Sequence, residues 1–274
     1  MIKIFTVMYI LFSVYSTNPD VSSPAFSQSI ISAAEDPGSI IAETPPPTPA
    51  PPEVKDYIEE LKTLGIYKQD SKDNSLNKRN AIIRFQSRCN FVISGVWDQK
   101  SQEALNKIVS VGGLKYTDSV SAPPTDGKWF VLNKSRRILT LYEKDVVLEK
   151  HPVAIGKAST ITPSGKFTIV NKIINPAWGG GGYADPVKGG SPENPLGYRW
   201  MGLSYKGGGQ LGIHGNNSPY SIGKEVSHGC IRMINNDVEA LFPKIPLNSP
   251  VWIGSDKELE KWGILQPEYP QEEN

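Results

Sequence analysis

Apolar positions along the chain change their spacing twice. Between residues 53 and 112 they recur at helical intervals. Val54, Ile58, Leu61 and Leu64 lie three or four apart, which stacks them on one helix face, and Gly65 follows as a C-cap. Ile82 and Phe85 predict a second helix over 78–88, and Ala104, Leu105 and Ile108 a third over 99–109, with a turn at Ser94-Gly95 between them. Three short helices in this span predict a small three-helix bundle with Cys89 as a buried structural thiol beside Phe85 and Phe91. From residue 127 to 254 the runs shorten and alternate. Strands are predicted at 129–132, 137–142, 146–148, 151–155 and 166–170, with a closing strand at 251–253. Arg137 to Tyr142 shows the alternation of a half-buried strand. Asn235 or Asn236 is placed to cap a helix over 237–242, and a short charged helix follows over 256–262. Strands in succession without intervening helices predict a sandwich or barrel. The fold class expected is α+β, a mainly β sandwich domain preceded by the helical bundle.

The remaining stretches are not domains. Ile4 to Val14 is an apolar run broken only by Thr6 and Ser13, behind Lys3. It is shorter than the roughly 20 residues that span a bilayer, so residues 1–16 are expected to be an export signal. That implies an extracytoplasmic protein, in the cell wall or periplasm, without a stable membrane span after processing. Residues 17–52 are rich in Ser, Ala and Pro, and Thr44 to Pro52 favours an extended polyproline linker. Residues 255–274 make a C-terminal tail.

Charge narrows the function. The chain of 274 residues carries 29 Lys plus Arg against 28 Asp plus Glu, a formal charge of +1. Without a basic cluster it lacks the field that sequence-independent nucleic-acid binding needs. The glycine clusters 179–182 and 207–209 lack the Lys-Ser or Lys-Thr of a nucleotide loop and are expected to rim a binding cleft.

The chemistry concentrates in Ser227-His228-Gly229-Cys230-Ile231-Arg232. Of three histidines in the chain, His214 and His228 both lie within sixteen residues of Cys230. A thiol is a nucleophile as thiolate, and a nearby imidazole accepts its proton. Gly229 lets the backbone turn sharply before Cys230 and leaves N–H groups there to stabilise an oxyanion. Arg232 is suited to grip a carboxylate or a loop carbonyl. The same residues have other readings: a Cys89–Cys230 disulfide, usual in an exported protein, or a zinc site from His214, His228 and Cys230.

Ile213-His-Gly215 followed by Ser227-His-Gly-Cys-Ile-Arg232 resembles the signature of the L,D-transpeptidase catalytic domain. Pro152 to Gly156, Thr162 to Phe167, Asn194 to Gly197 and Arg199 to Gly202 extend the likeness over about 125 residues. The resemblance implies that Cys230 attacks peptidoglycan stem peptides and that His214 is its base, oriented by the backbone carbonyl of Gly215. It also implies that Ser227, His228, Gly229 and Arg232 shape the oxyanion site and substrate cleft, with no cofactor and no metal. A cross-link then forms through a thioester; a carboxypeptidase on the same fold, or a non-catalytic wall-binding protein, are the alternatives. Ala81 to Gln86, Ser94 to Asp98 and Ser101 to Leu105 resemble a peptidoglycan-binding domain, implying wall or glycan-strand contact through residues 53–112.

Overall fold

A computed structural model describes residues 55–270 apart from 183, 208 and 209. The expected export signal, the linker, residues 53–54, Gly208, Gly209 and the end of the tail lie outside the described residues. Three helices come first: α1 (Tyr57–Thr63), α2 (Asn74–Arg88) and α3 (Gln99–Ser110). Each starts at an aspartate whose carboxylate accepts otherwise unpaired backbone N–H groups: Asp56, Asp73 and Asp98. Leu61, Phe85, Cys89, Leu105 and Ile108 bury against one another, and Tyr57 stacks on Trp97 with centroids 4.2 Å apart.

The strands follow: β1 (Ser119–Val120), β2 (Lys128–Asn133), β3 (Ile138–Glu143), β4 (Val146–Gly156), β5 (Gly165–Ile174), β6 (Arg199–Leu203), β7 (Gly212–His214), β8 (Glu225–Ser227) and β9 (Ile231–Met233). Helix α4 (Asn235–Leu241), β10 (Pro250–Gly254), α5 (Asp256–Lys261) and β11 (Ile264–Leu265) complete the order. The main sheet runs β3-β2-β10-β5-β6-β7-β9-β4-β8, and β3 also pairs with β4. That last pairing closes the sheet into a barrel-like ring, with β8 attached outside it; β1 and β11 form a separate two-stranded sheet. The α+β class holds, but of the sandwich or barrel that the strand pattern allowed, the expected β sandwich gives way to one closed sheet, because the continuous β4 bonds to β3 on one side and to β9 on the other.

Phe130, Leu132, Leu139, Leu141, Ile213 and Ile231 fill the ring. Each such burial is worth roughly 1.5–3 kcal/mol. Strand β3 is not half-buried as its alternation suggests; Ile138, Thr140 and Tyr142 are buried on the outer side as well.

The helices are not a free-standing bundle. The described residues fall in one compact unit. Ile83 and Ile93 share a core with Ile138, Ala154, Ile222 and Ile234 from the strand-rich part. Charges tie the same surfaces together: Arg84 makes two hydrogen bonds of 2.9 Å to Asp237 on α4 and two to Asp70, at 2.7 and 2.8 Å. Lys150, fully buried, reaches Asp118 at 2.6 Å. Among the described residues no helix is long and apolar enough to cross a membrane.

Candidate active site

Strands β6, β7 and β9 lie side by side, and their register aligns Trp200 with His214 and His214 with Arg232. Ile213 and Ile231 point into the core, so by the two-residue period of strands this row faces outward. Cys230 precedes β9 by one residue. Here a cavity of about 590 Å³ opens, lined by Cys230 and His228 together with Trp200, Trp178, Leu196 and Gln210. Gly179, Gly181 and Gly182 line it as well, where the first glycine cluster was expected to form a rim.

Of the residues singled out from sequence, Cys230 and His228 line this cavity, whereas His214, Gly215, Ser227, Gly229 and Arg232 are not among its lining residues. His214 is buried, and its Nδ1 lies 2.7 Å from the Gly215 carbonyl oxygen. A carbonyl only accepts, so Nδ1 carries the proton and the neutral ring keeps its Nε2 lone pair. Burial pushes the His214 pKa down to about 4; the Gly215 carbonyl opposes this, and the Arg232 charge adds to it. Burial also raises the Cys230 thiol, while the Gly212 main chain and Arg232 pull it back down. The free protein at neutral pH therefore holds a neutral imidazole and a neutral thiol, not a preformed ion pair. The thiol donates to the Gln210 carbonyl at 3.8 Å.

The turn before the thiol is clamped from two sides. Ser227 Oγ donates to the Cys230 carbonyl at 2.6 Å and accepts the Gly229 N–H at 3.1 Å. Gly229 sits at φ +114°, where a side chain is strained. Behind it, Thr162 Oγ1 donates to the Gly229 carbonyl at 2.7 Å and accepts the Gly156 N–H at 2.9 Å. Thr160 Oγ1 donates to the Ser227 carbonyl at 2.9 Å. Thr160 and Thr162, like Trp200 and Gln210, were not given roles from sequence. A signal for Trp200 exists in its strands: Gly202 pairs with Gly212 across β6 and β7, and a Cβ at Gly212 would sit 2.6 Å from the indole. Glycine inside a strand marks a close approach.

Cys89 and Cys230 are both free thiols, so the disulfide reading is overturned: Cys89 is fully buried in the helical core. Burial raises the Cys89 thiol far above the usual cysteine range. The third histidine, His151, lies between Glu149 and Asp237 at 3.3 and 3.9 Å, in the charge cluster around Arg84.

A half-buried thiol thus lines a cavity, with a buried imidazole on the adjoining strand, in a β-rich barrel-like fold. The YkuD family, described as the L,D-transpeptidase catalytic domain, matches residues 127–253. The chain is 41% identical over 130 residues to the Bacillus subtilis protein named "Putative L,D-transpeptidase YqjB", covering 47% of this chain and 72% of that one. It is 39% identical over 145 residues to "Putative L,D-transpeptidase YkuD" of Bacillus licheniformis, covering 53% and 76%. A solved L,D-transpeptidase from Mycobacterium tuberculosis aligns at 19% identity and a TM-score of 0.40, over 47% of this chain and 58% of that chain. The chain belongs to the L,D-transpeptidase family.

Proposed function

We propose that the protein is an exported peptidoglycan L,D-transpeptidase that forms cell-wall cross-links through a thioester on Cys230. The observation that supports this reading is a cavity-lining thiol one residue before the strand that pairs with the His214 strand, where the imidazole Nδ1 is tied to the Gly215 carbonyl. In the first half-reaction the Cys230 thiol gives its proton to His214 Nε2 as sulfur attacks the stem-peptide carbonyl. The Gly229 N–H is held by Ser227 Oγ, which leaves the Cys230 N–H as the backbone donor of this turn for the developing oxyanion. The C–N bond to the terminal D-residue then breaks, and its amine leaves with the proton from His214. In the second half-reaction an amine of a neighbouring stem gives a proton to His214, attacks the thioester and expels the thiolate, which recovers that proton. One base thus serves both directions. His228 and Arg232 shape the cleft, and Ser227 holds the turn. No step calls for a cofactor or a metal.

Incubation with defined stem tetrapeptides, followed by mass spectrometry, tests the reading. A dimer with loss of the terminal residue supports it; a tripeptide alone assigns the protein as an L,D-carboxypeptidase. Absence of both with an intact fold leaves a non-catalytic wall-binding protein.

The helical segment is proposed as a wall-contacting element of peptidoglycan-binding type. Val92 and Val96, exposed by 51% and 62% beside its turn, are the residues to replace with serine in sedimentation assays with insoluble peptidoglycan. Unchanged sedimentation would reduce the segment to a structural role.

A further inference from the structure

Helix α4 begins two residues after β9, and its first three residues face different neighbours. Asn235 Oδ1 accepts the N–H of Asn216 at 2.8 Å, and its Nδ2 donates to the Asn216 carbonyl at 2.9 Å. The Asn216 N–H belongs to the same peptide unit as the Gly215 carbonyl, the group that holds His214 Nδ1. A peptide unit is rigid and planar, so its N–H and C=O move together. One end of that plane is gripped by Asn235, and the other end grips the imidazole. Packing enforces the arrangement: a Cβ at Gly215 would lie 2.3 Å from Asn235 Oδ1. Asn216 is fixed from its own side chain too, whose Nδ2 donates to the Met233 carbonyl at 2.6 Å.

The next two residues of α4 turn toward the helical segment. Asn236 Nδ2 donates to Asp70 at 3.0 Å. Asp237, buried, accepts two hydrogen bonds from Arg84 of α2 and a third from Lys68 at 3.0 Å. A two-pronged guanidinium–carboxylate contact fixes direction as well as distance.

We propose that Asn235 is a positioning residue for His214, and that α2 holds Asn235 in place through the Arg84–Asp237 pair. The helical segment thereby becomes part of the reaction centre's scaffold. The inference rests on His214 as the base of the proposed reaction, but its primary readout does not depend on that role. Without Asn235 the Gly215–Asn216 peptide loses the clamp on its N–H, the Gly215 carbonyl shifts relative to Nδ1, and the ring samples both tautomers and other orientations. Misplacement of a proton acceptor by about 1 Å costs roughly a hundredfold in rate.

The test is ring nitrogen NMR on the full chain, in which the three histidines are few enough to assign by substitution. Asn235→Ala and the near-isosteric Asn235→Leu are compared with the native protein and with Asn235→Asp, which keeps an acceptor for the Asn216 N–H. Near-UV circular dichroism identifies which of the two apolar variants is folded, and that one is read. The expected result is loss of the single Nδ1–H tautomer of His214 and a titration moved toward the ordinary histidine value, with His228 unchanged. Asn235→Asp is expected to retain the tautomer. Arg84→Met is expected to move His214 in the same sense as the apolar variants. Acylation of Cys230 by a carbapenem is expected to fall roughly tenfold or more in the apolar variants. Alkylation by iodoacetamide at alkaline pH, where no base is needed, stays within about twofold.

A native His214 spectrum in a folded apolar variant overturns the proposal. An unchanged spectrum in Arg84→Met removes the part assigned to α2. If the ring shifts as expected but His214→Ala is acylated at the native rate, the positioning stands and the base assignment falls. If His214→Ala is slow while the Asn235 variants leave the ring untouched, the base stands and the positioning falls.

Discussion

Trp200 stacks on His214 across neighbouring strands, with ring centroids 5.7 Å apart and planes inclined by 25°. The indole is pinned in that position: its N–H donates to Asn171 at 2.9 Å, and Gly202 and Gly212 leave the space that it fills. An aromatic plane over the imidazole excludes water from one face, and this is part of the burial that disfavours the charged ring.

The acid limb of acylation should therefore fall near pH 4 and not near 6.5. A lowered histidine pKa means that the neutral, proton-accepting form persists to lower pH. Carbapenem acylation rates measured from pH 3.5 to 8 are expected to be flat down to about pH 5 and to drop below it. Trp200→Ala should move the midpoint up toward the ordinary histidine value by admitting water. A native midpoint near 6.5 would contradict the buried neutral ring.

The two cysteines should differ sharply in reactivity. Cys230 lines a cavity, whereas Cys89 is fully buried with its thiol held protonated by burial. Brief treatment of the native chain with iodoacetamide, followed by peptide mapping, is expected to label Cys230 and leave Cys89 untouched. Because burial also raises the Cys230 thiol, the labelling rate should keep rising beyond the pH at which an exposed cysteine levels off. Labelling at Cys89 before unfolding would break this expectation.

Removing Arg84 should destabilise the fold in a pH-dependent way. Arg84 and Asp237 are both nearly inaccessible, and deleting one partner of a buried pair costs on the order of 3–5 kcal/mol. Asp237 is strongly desolvated, yet His151 at 3.9 Å and Arg84, through two hydrogen bonds and its charge, hold its pKa well below the usual carboxylate range. A depressed carboxylate contributes stability above its unfolded pKa and loses it as pH falls. Burial alone would lower His151, but its contacts with Asp237 and Glu149 outweigh that and raise it, so its share is present at low pH and lost as pH rises. Urea unfolding of Arg84→Met should show a lower midpoint at pH 7 and acid unfolding that begins at a higher pH than in the native chain.

Much of this architecture is written in local patterns. The helix faces around Leu61, Phe85 and Leu105 and the strands from Trp129 to Phe167 follow spacing rules, and these elements lie within a few residues of expectation, except that the two strands expected at 146–148 and 151–155 are one continuous β4. Strands β6 to β9 escape such reading because three of them are three residues long and carry Gly, His and Arg where a propensity rule looks for branched apolar residues. Asn235 shows the same limit. Sequence suggests a helix cap, yet Ile234 occupies the N-cap position and the Asn235 amide is used across the fold at Asn216. Long-range contacts of this kind have no signature in neighbouring residues. The Ser227–Arg232 cluster was legible because its parts are adjacent in the chain; Thr160 and Thr162 reach it from sixty-seven residues away.

Thr162 offers a test of that distant support. Its hydroxyl is buried, donating to the Gly229 carbonyl and accepting from the Gly156 N–H, so it bridges the nucleophile turn and the end of β4. Thr162→Val keeps the shape but leaves both backbone groups without partners, at a cost of about 1–3 kcal/mol for each buried group left unpaired. Thr162→Ser keeps both hydrogen bonds and loses only a methyl group, worth roughly 1 kcal/mol. If hydrogen bonding is what matters, the valine variant should be the less stable of the two in urea and the slower to be acylated at Cys230. Its thermal unfolding should also begin earlier, since the turn at Gly229 would lose one of its clamps. The opposite order, with serine worse than valine, would mean that Thr162 acts through its methyl packing and that the clamp on Gly229 is dispensable.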